Sequence, residues 1–227
     1  MNEPMIIYDW PPILVANAEM FRIDARTRSG GETINGREQA VSSGLGRWVA
    51  RLTVPLHTPA KIRAMRSLMA RLNGRANGVR VGPCDCRNGN RLMPTIHDIP
   101  HSDKARHGDG AGFQQGGTAP TIAEDHAASV GDRRITIWNG ATRTPVLEGS
   151  FMGAGGYLYV VVGVTPLPDE NTLIDLRPKL RTALPVGAEI DWCHGRVPMR
   201  LAADDSGEFE LQLARMGTAT LDLVEIW

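Results

Sequence analysis

The chain has 227 residues and carries 25 basic and 25 acidic side chains, with a pI near 7.0. This length suffices for a substantial core in one or two domains, and the balanced charge excludes a general basic field for nucleic acid or an anionic membrane. The longest apolar run, Leu158 to Val164, is too short to span a bilayer, so membrane insertion is not expected. The N-terminus lacks the pattern of a secretory signal, and three cysteines imply no disulfide framework. We therefore expect folding in a reducing cytoplasm.

Alternation of apolar and polar residues predicts several short strands along the chain. In the first part of the chain they fall at 21–26, 39–43, 48–54 and 79–81. The third is the clearest, because Trp48, Ala50 and Leu52 alternate with polar or smaller side chains, and we expect Pro55 to end it. Asn35-Gly36 indicates a turn.

A single helix is predicted at about 58–73. Thr58 suits the N-cap, because its hydroxyl can accept from a free backbone N–H, and Pro59 suits the first helical position. Asn73-Gly74 tolerates the left-handed conformation that ends a helix. The apolar stripe consists of Ile62, Met65, Met69 and Leu72, with Leu68 beside it. Solvated positions are expected for Arg63, Arg66 and Arg71.

Residues 84–132 differ in composition from the rest of the chain. Gly, Asp, His, Asn, Gln and Ser dominate, and apolar periodicity disappears. A stretch of this length without secondary structure is unusual inside a compact domain. We expect an extended arm that reaches a neighbouring subunit, and the alternative is a flexible surface loop.

Further short strands are predicted at 135–139, 146–151, 157–164, 172–176, 188–192, 197–202, 208–214 and 218–226. Residues 157–164 are almost continuously apolar and rich in β-branched side chains, which indicates a central strand buried on both faces. Regular short strands between turns favour a sandwich or a barrel. The sequence thus predicts a mainly β fold with one α-helix and a long irregular arm. Residues 1–83 and 133–227 would form one composite β domain, and 84–132 the arm.

One group of residues has the chemistry of a metal site. Cys84, Cys86, His97 and His101 offer two thiolates and two imidazoles, which suit tetrahedral zinc. The spacing argues against it, because one residue separates the cysteines where zinc sites usually have two to four, and Pro100 disfavours a helix across the histidines. The alternative is two small cysteines at a strand end and polar histidines on a loop.

Other candidates for chemistry are weaker. Cys193-His194 could act as a nucleophile and base only with a third group to orient the histidine, and the sequence shows none. Residues 124–126 combine two acidic side chains with a histidine, but their spacing does not indicate acid–base catalysis. Residues 153–156 lack the lysine of a phosphate-binding loop. We assign no catalytic, cofactor-binding or metal-binding residue, and we do not expect an enzyme.

The chain contains a series of different short motifs, and their order is more informative than any one of them. In the second half these are Gly149-Ser150-Phe151, 155–161, 176–181, 185–187, 199–201 and Glu225-Ile226-Trp227; in the first half they are 36–39, 46–48, 100–103 and 108–110. Over most of the chain, the order of these motifs resembles the tail-tip proteins of long-tailed bacteriophages and prophages, in particular distal tail or minor tail proteins.

The resemblance implies a structural role. Proteins of this kind have a β-sandwich of the tail-tube type flanked by one helix, and they assemble into rings that connect the tail tube to the hub and the receptor-binding parts. The expected partners are further copies of the chain, as a hexamer or trimer, together with tail tube and tail hub proteins and the tape measure protein. The expected location is the tail of the virion, after synthesis in the cytoplasm of a bacterial host. No cofactor and no specific nucleic acid binding are implied.

Two alternatives from other classes stay open. A carbohydrate-binding β-sandwich module for attachment to a host surface would need exposed Trp and Tyr side chains for stacking on sugars. A cell-wall hydrolase would draw its acidic and histidine residues from the segment 84–132. Tryptophan exposure and activity on cell-wall substrate distinguish these alternatives from the structural role.

Overall fold

The computed structural model describes residues 4–25, 27–32, 35–36, 38–42, 45–83, 98–99, 113–114, 121–123, 127–138, 146–168, 171–192, 194–207 and 217–227. Within these residues the protein is mainly β with one helix, as predicted, and its sheets are curled. The chain divides into two compact units, which we call unit 1 (residues 1–84 and 196–227) and unit 2 (residues 85–195).

The described elements follow one another along the chain as β1 (Ile7–Asp9), β2 (Ala18–Asp24), β3 (Thr27–Glu32), β4 (Glu38–Ser42), β5 (Arg47–Leu56), α1 (Pro59–Leu72), β6 (Gly78–Val81), β7 (Asp98–Ile99), β8 (Phe113–Gln114), β9 (Thr121–Ile122), β10 (Arg134–Trp138), β11 (Phe151–Ala154), β12 (Tyr157–Pro166), β13 (Asn171–Arg177), β14 (Val197–Leu201) and β15 (Gly217–Glu225).

Unit 1 is built on a six-stranded sheet in the order β1-β6-β14-β15-β5-β2, in which β1 and β6 are parallel and the other pairs antiparallel. The strand β5 lies between β15 and β2, and its alternate side chains enter the core as predicted. The buried side chains of β5 are those of Trp48, Ala50, Leu52, Val54 and Leu56. The strand predicted at 218–226 corresponds to β15, in which Ala219, Leu221 and Leu223 are buried.

Pro55 does not end β5, contrary to the prediction. The strand continues to Leu56, and Pro55 is paired with Thr218 of β15. The carbonyl of Thr53 faces the side of β2, where it accepts from the N–H of Asn17. Pro55 lies two residues further and faces the same side, beyond the start of β2, so its missing N–H leaves no ladder bond unmade.

The helix α1 begins and ends as the sequence predicts. Thr58 is the N-cap, and its hydroxyl accepts from the N–H of Lys61 at 3.3 Å. Asn73 adopts the left-handed conformation, with φ of 48°. The buried side chains are those of Ile62, Met65, Leu68 and Leu72, whereas Met69 is only half-buried. The three arginines predicted to be solvated, at 63, 66 and 71, are exposed.

Unit 2 contains a five-stranded antiparallel sheet in the order β11-β12-β13-β10-β9. Its core includes Ile135, Ile137, Tyr159, Ile174 and Leu176, all buried. The hydroxyl of Tyr159 accepts from the backbone N–H of Arg181 at 3.0 Å, so the buried phenol is satisfied.

The two outer strands of this sheet are joined by one chain segment, residues 184–191. Bridges connect Glu189 to Thr121 of β9 and Asp191 to Gly153 of β11. The N–H of Gly153 donates to the carbonyl of Asp191 at 2.6 Å, and the reverse bond measures 2.9 Å. This segment therefore covers both edges of the sheet of unit 2.

Three predicted strands of the second half are corrected. Residues 146–150 form a turn with Gly149 at φ of 84°, and the strand is 151–154 instead. In 157–164 the core takes up residues 158, 159 and 161, but a bulge at Val162 leaves that side chain 46 % exposed. Residues 188–192 make isolated bridges and no continuous strand. The predicted strand at 208–214 lies outside the described residues.

The division into units differs from the predicted domains in one respect. Residues 133–195 belong to a compact unit with the middle of the chain, whereas only 196–227 joins the N-terminal strands. Most of the predicted arm, 84–132, lies outside the described residues. Its described parts are the pair β7–β8, the strand β9, and residues 123 and 127–132. Ile122 and Ala128 belong to the core of unit 2, so the end of this stretch is part of the unit.

Candidate functional site

The residues that the sequence singled out for metal chemistry do not fall within the described part of the chain. Cys84, Cys86, His97 and His101 all lie outside the described residues, and so do 124–126. The parts of the chain that are described hold no group of three or more His, Cys, Asp or Glu side chains placed to bind a metal ion. The zinc hypothesis thus stays a prediction.

His194 lies in a turn. Its backbone N–H donates to Oδ1 of Asp191 at 2.7 Å, and its imidazole is largely exposed. Trp192 beside it is buried. Cys193 is not among the described residues. The carboxylate of Asp191 thus fixes the local backbone, as is common for aspartate in turns.

Within residues 153–156, whose sequence lacks the lysine of a phosphate-binding loop, two glycines form a tight hairpin turn. Gly155 and Gly156 connect β11 to β12, with φ of 56° and 82°. Positive φ at both central residues is the conformation of a two-residue hairpin turn, which glycine adopts most easily. Gly153 lies in β11 itself.

The most unusual surface of the described residues is a two-stranded ribbon made by β3 and β4, residues 27–42. These two strands pair with each other and belong to no larger sheet. Each ribbon residue whose side chain is described is exposed. Val41 is 59 % exposed although it is apolar. An isolated two-stranded ribbon is only marginally stable in water.

The ribbon is next to the unit 1 sheet along the chain, because β3 follows β2 and β4 precedes β5. Asp24 at the end of β2 pairs with Arg47 of β5, and Thr27 at the start of β3 pairs with Ser42 of β4. The two strands that pair in the sheet, β2 and β5, thus lead into the two strands that pair in the ribbon, β3 and β4.

Close packing fixes the junction between sheet and ribbon. Gly46 is buried, and a side chain there would overlap with Cγ2 of Ile23. The carboxylate of Asp24 lies 3.7 Å from Nη1 of Arg22 and 3.7 Å from Nε of Arg47. These contacts hold β2 and β5 together at the end of the sheet that is nearest to the ribbon along the chain.

The strand β2 is an outer strand of the unit 1 sheet, on the same side as the ribbon. No strand within the described ranges pairs with its outer edge. Met20 on this strand is 41 % exposed. Ile13 and Val15, in the segment that leads into β2, are also exposed. An outer strand with exposed apolar side chains is suited to pair with another chain. By contrast, the outer strands of unit 2 are covered by residues 184–191.

The aromatic side chains do not form an exposed platform. All five Trp and three Tyr residues are described, and Trp227 is the exposed one among them. Trp48, Tyr159 and Trp192 are buried, and the others are half-buried. No sheet face in the described part of the chain therefore presents several rings for stacking on a sugar.

The sequence signals for this surface were incomplete. The Asn35-Gly36 turn and a strand at 39–43 are predicted, but Ser29-Gly30-Gly31 suggests a break where the structure has β3. The scarcity of apolar residues in 27–42 is the available signal that both faces are exposed.

The described helix is neither long enough nor apolar enough to cross a membrane. A scan against protein-family models gives no match to this chain, and neither does a search of curated proteins.

Proposed function

We propose that this chain is a structural protein of the tail tip of a long-tailed bacteriophage or prophage, which forms a ring between the tail tube and the hub with its receptor-binding parts. In this proposal the protein works by self-assembly and by contact with tail tube, hub and tape measure proteins. It has no catalytic function and is located in the tail of the virion. The order of sequence motifs, which resembles that of tail-tip proteins, supports this role.

The observation that carries the proposal is the exposed ribbon of residues 27–42 beside β2, the outer strand of the described sheet. The described side chains of the ribbon are exposed and bury little apolar area within the chain, and contact with another chain would bury more. Val41 and Met20 supply apolar side chains for that contact. Backbone N–H and C=O groups along β2 supply the hydrogen bonds.

In a closed ring, one surface of each copy binds a different surface of the next copy. The rotation from copy to copy must return to the first copy. Because ribbon and edge lie on one side of the sheet in unit 1, they can serve as one of the two surfaces. A second copy would contribute the other. Charged residues on β2, among them Arg22, reduce unspecific pairing of the edge and favour one partner.

The test is electron microscopy of the purified protein in negative stain. We expect rings with a central hole. A second preparation, in which residues 27–42 are replaced by a short Gly-Ser linker, should give single particles with the same strand content by circular dichroism. Isolated particles from the unaltered chain, or unaltered rings after the replacement, would count against the proposal.

A further inference from the structure

We propose that unit 2 carries a binding site for a small oxyanion, a phosphate or a carboxylate group, in a cleft beside the bulge of β12. The cleft has a volume of about 500 Å³, within the range of small-molecule sites. It is lined by Asp132, Arg133, Arg134, Val162, Asp175 and Arg177. The proposal is independent of ring formation.

Three neighbouring strands build this cleft. Asp175 of β13 pairs with Arg134 of β10 on one side and with Gly163 of β12 on the other. The register of β12 shifts between Val161 and Gly163, so one extra residue is inserted there. Gly163 lies close to Asp175 of the cleft, since a Cβ at this position would lie 3.0 Å from Oδ2 of Asp175. Bulges commonly occur beside functional sites, where they redirect a side chain.

The charges of the cleft are only partly compensated. Nε of Arg134 lies 2.6 Å from Oδ1 of Asp175, so these two side chains neutralise each other. Oδ2 of Asp132 accepts from the backbone N–H of Ser129 at 2.7 Å. Three arginines and two aspartates leave one net positive charge among the lining residues.

Two guanidinium groups supply this excess. Nη1 of Arg177 donates to the carbonyl of Leu176 at 3.1 Å, and its other N–H groups stay available. Neither Arg177 nor Arg133 forms an ion pair with a side chain in the described ranges. An oxyanion with one negative charge would balance the cleft.

Arginine is the residue best suited to this ligand. Its planar fork of N–H donors matches two oxygens of a phosphate or a carboxylate, and such charge-assisted bonds are stronger than neutral ones. Because five of the six lining side chains are charged, the body of the ligand should be polar. The whole chain has a formal charge of zero, so attraction of anions would come from this cleft and not from a general field.

The test is a titration of isotope-labelled protein followed by NMR, with inorganic phosphate and, separately, acetate. For at least one of the two anions we expect saturable shifts at the amides of Gly163, Arg134 and Arg177. Arg177→Gln and Arg133→Gln should each weaken the affinity about tenfold, the usual effect of one charged hydrogen bond. Arg66→Gln is the matched control, because it removes the same charge from the exposed face of α1 in unit 1.

Saturation by phosphate alone assigns a phosphoryl ligand, and saturation by acetate alone assigns a carboxylate. Shifts that grow linearly with both anions, or an Arg66→Gln effect equal to that of Arg177→Gln, would overturn the proposal. Gly163→Ala leaves the charge unchanged but crowds Asp175, so it should weaken binding as well. Should Arg177→Gln not fold, Arg133→Gln decides, because the side chain of Arg133 is exposed. The native mass of each sample is measured as well, so that loss of anion binding can be distinguished from loss of ring assembly.

Discussion

Two adjacent glycines make the turn between β11 and β12, and their surroundings differ. A Cβ at Gly156 would have no atom within 4 Å, so Gly156→Ala should cost only the strain of the left-handed backbone, about 1 kcal/mol. A Cβ at Gly155 would overlap with Cγ2 of Thr182 and lie 3.0 Å from Leu184. Since the β-branched Thr182 is stiff, we expect Gly155→Ala to lose about 1–3 kcal/mol more. Denaturant unfolding measures both, and equal losses would contradict this packing.

The ion pair between Arg51 and Asp222 should contribute to stability equally at neutral and at moderately alkaline pH. Nε of Arg51 lies 2.6 Å from Oδ1 of Asp222 across β5 and β15, and this hydrogen bond, followed by the charge of Asp222, raises the pKa of Arg51. A pKa raised by folding gives stability that is present below the unfolded value and is lost only as pH rises through the folded one. For arginine that loss lies in strongly alkaline solution. Arg51→Gln should therefore change the unfolding free energy equally at about pH 7 and about pH 10. Thermal unfolding of both proteins at the two pH values is the check, and a difference that disappears at the higher pH would refute it.

At the scale of elements, the capping of α1 gives a sharp test. The hydroxyl of Thr58 accepts from the N–H of Lys61, a donor that has no partner within the helix. Thr58→Ala should lower the unfolding free energy by about 1 kcal/mol, while Thr58→Ser keeps the oxygen and should stay near the wild type. Circular dichroism melts compare the three proteins. If Thr58→Ser lowers the unfolding free energy as much as Thr58→Ala does, the hydroxyl cap does not stabilise the N-terminus of α1.

The elements that could be predicted are those with a clear period and a clear end. The helix was predicted because Thr58, Pro59 and Asn73 mark its ends, and β5 because its alternation is regular. Residues 146–151 were misassigned because apolar side chains there suggested a strand, whereas Gly149 at φ of 84° makes a turn. The strand β3 was missed because glycines in its middle resemble a break. Local composition does not reveal a strand that is stabilised mainly by its partner.

At the scale of the whole molecule, pairing partners could not be read from the sequence. The parallel pairing of β1 with β6, and the position of β15 beside β5, depend on contacts between distant residues. The same holds for the cleft of unit 2, since Arg134, Gly163 and Asp175 come from three strands. Sequence periodicity specifies which face of a strand is buried, and it does not specify which strand lies next to it.

We predict that a charge on the ribbon prevents assembly of the whole molecule into a ring. Val41→Asp places a charge on the ribbon, where desolvation and repulsion between copies should oppose association. Val130→Asp is the matched control, because Val130 is 60 % exposed in a turn of unit 2. Neither variant removes a core side chain, so both should unfold as the wild type does.

Light scattering gives the native mass of these three proteins and so shows directly whether the chain assembles into a ring. One chain has a mass of 24.7 kDa. We predict that the wild type and Val130→Asp have the mass of one closed oligomer, a whole multiple of that value, and that Val41→Asp has the mass of a single chain. A wild type that stays at the mass of one chain at every concentration, or a Val41→Asp protein that assembles like the control, would contradict the proposed ring.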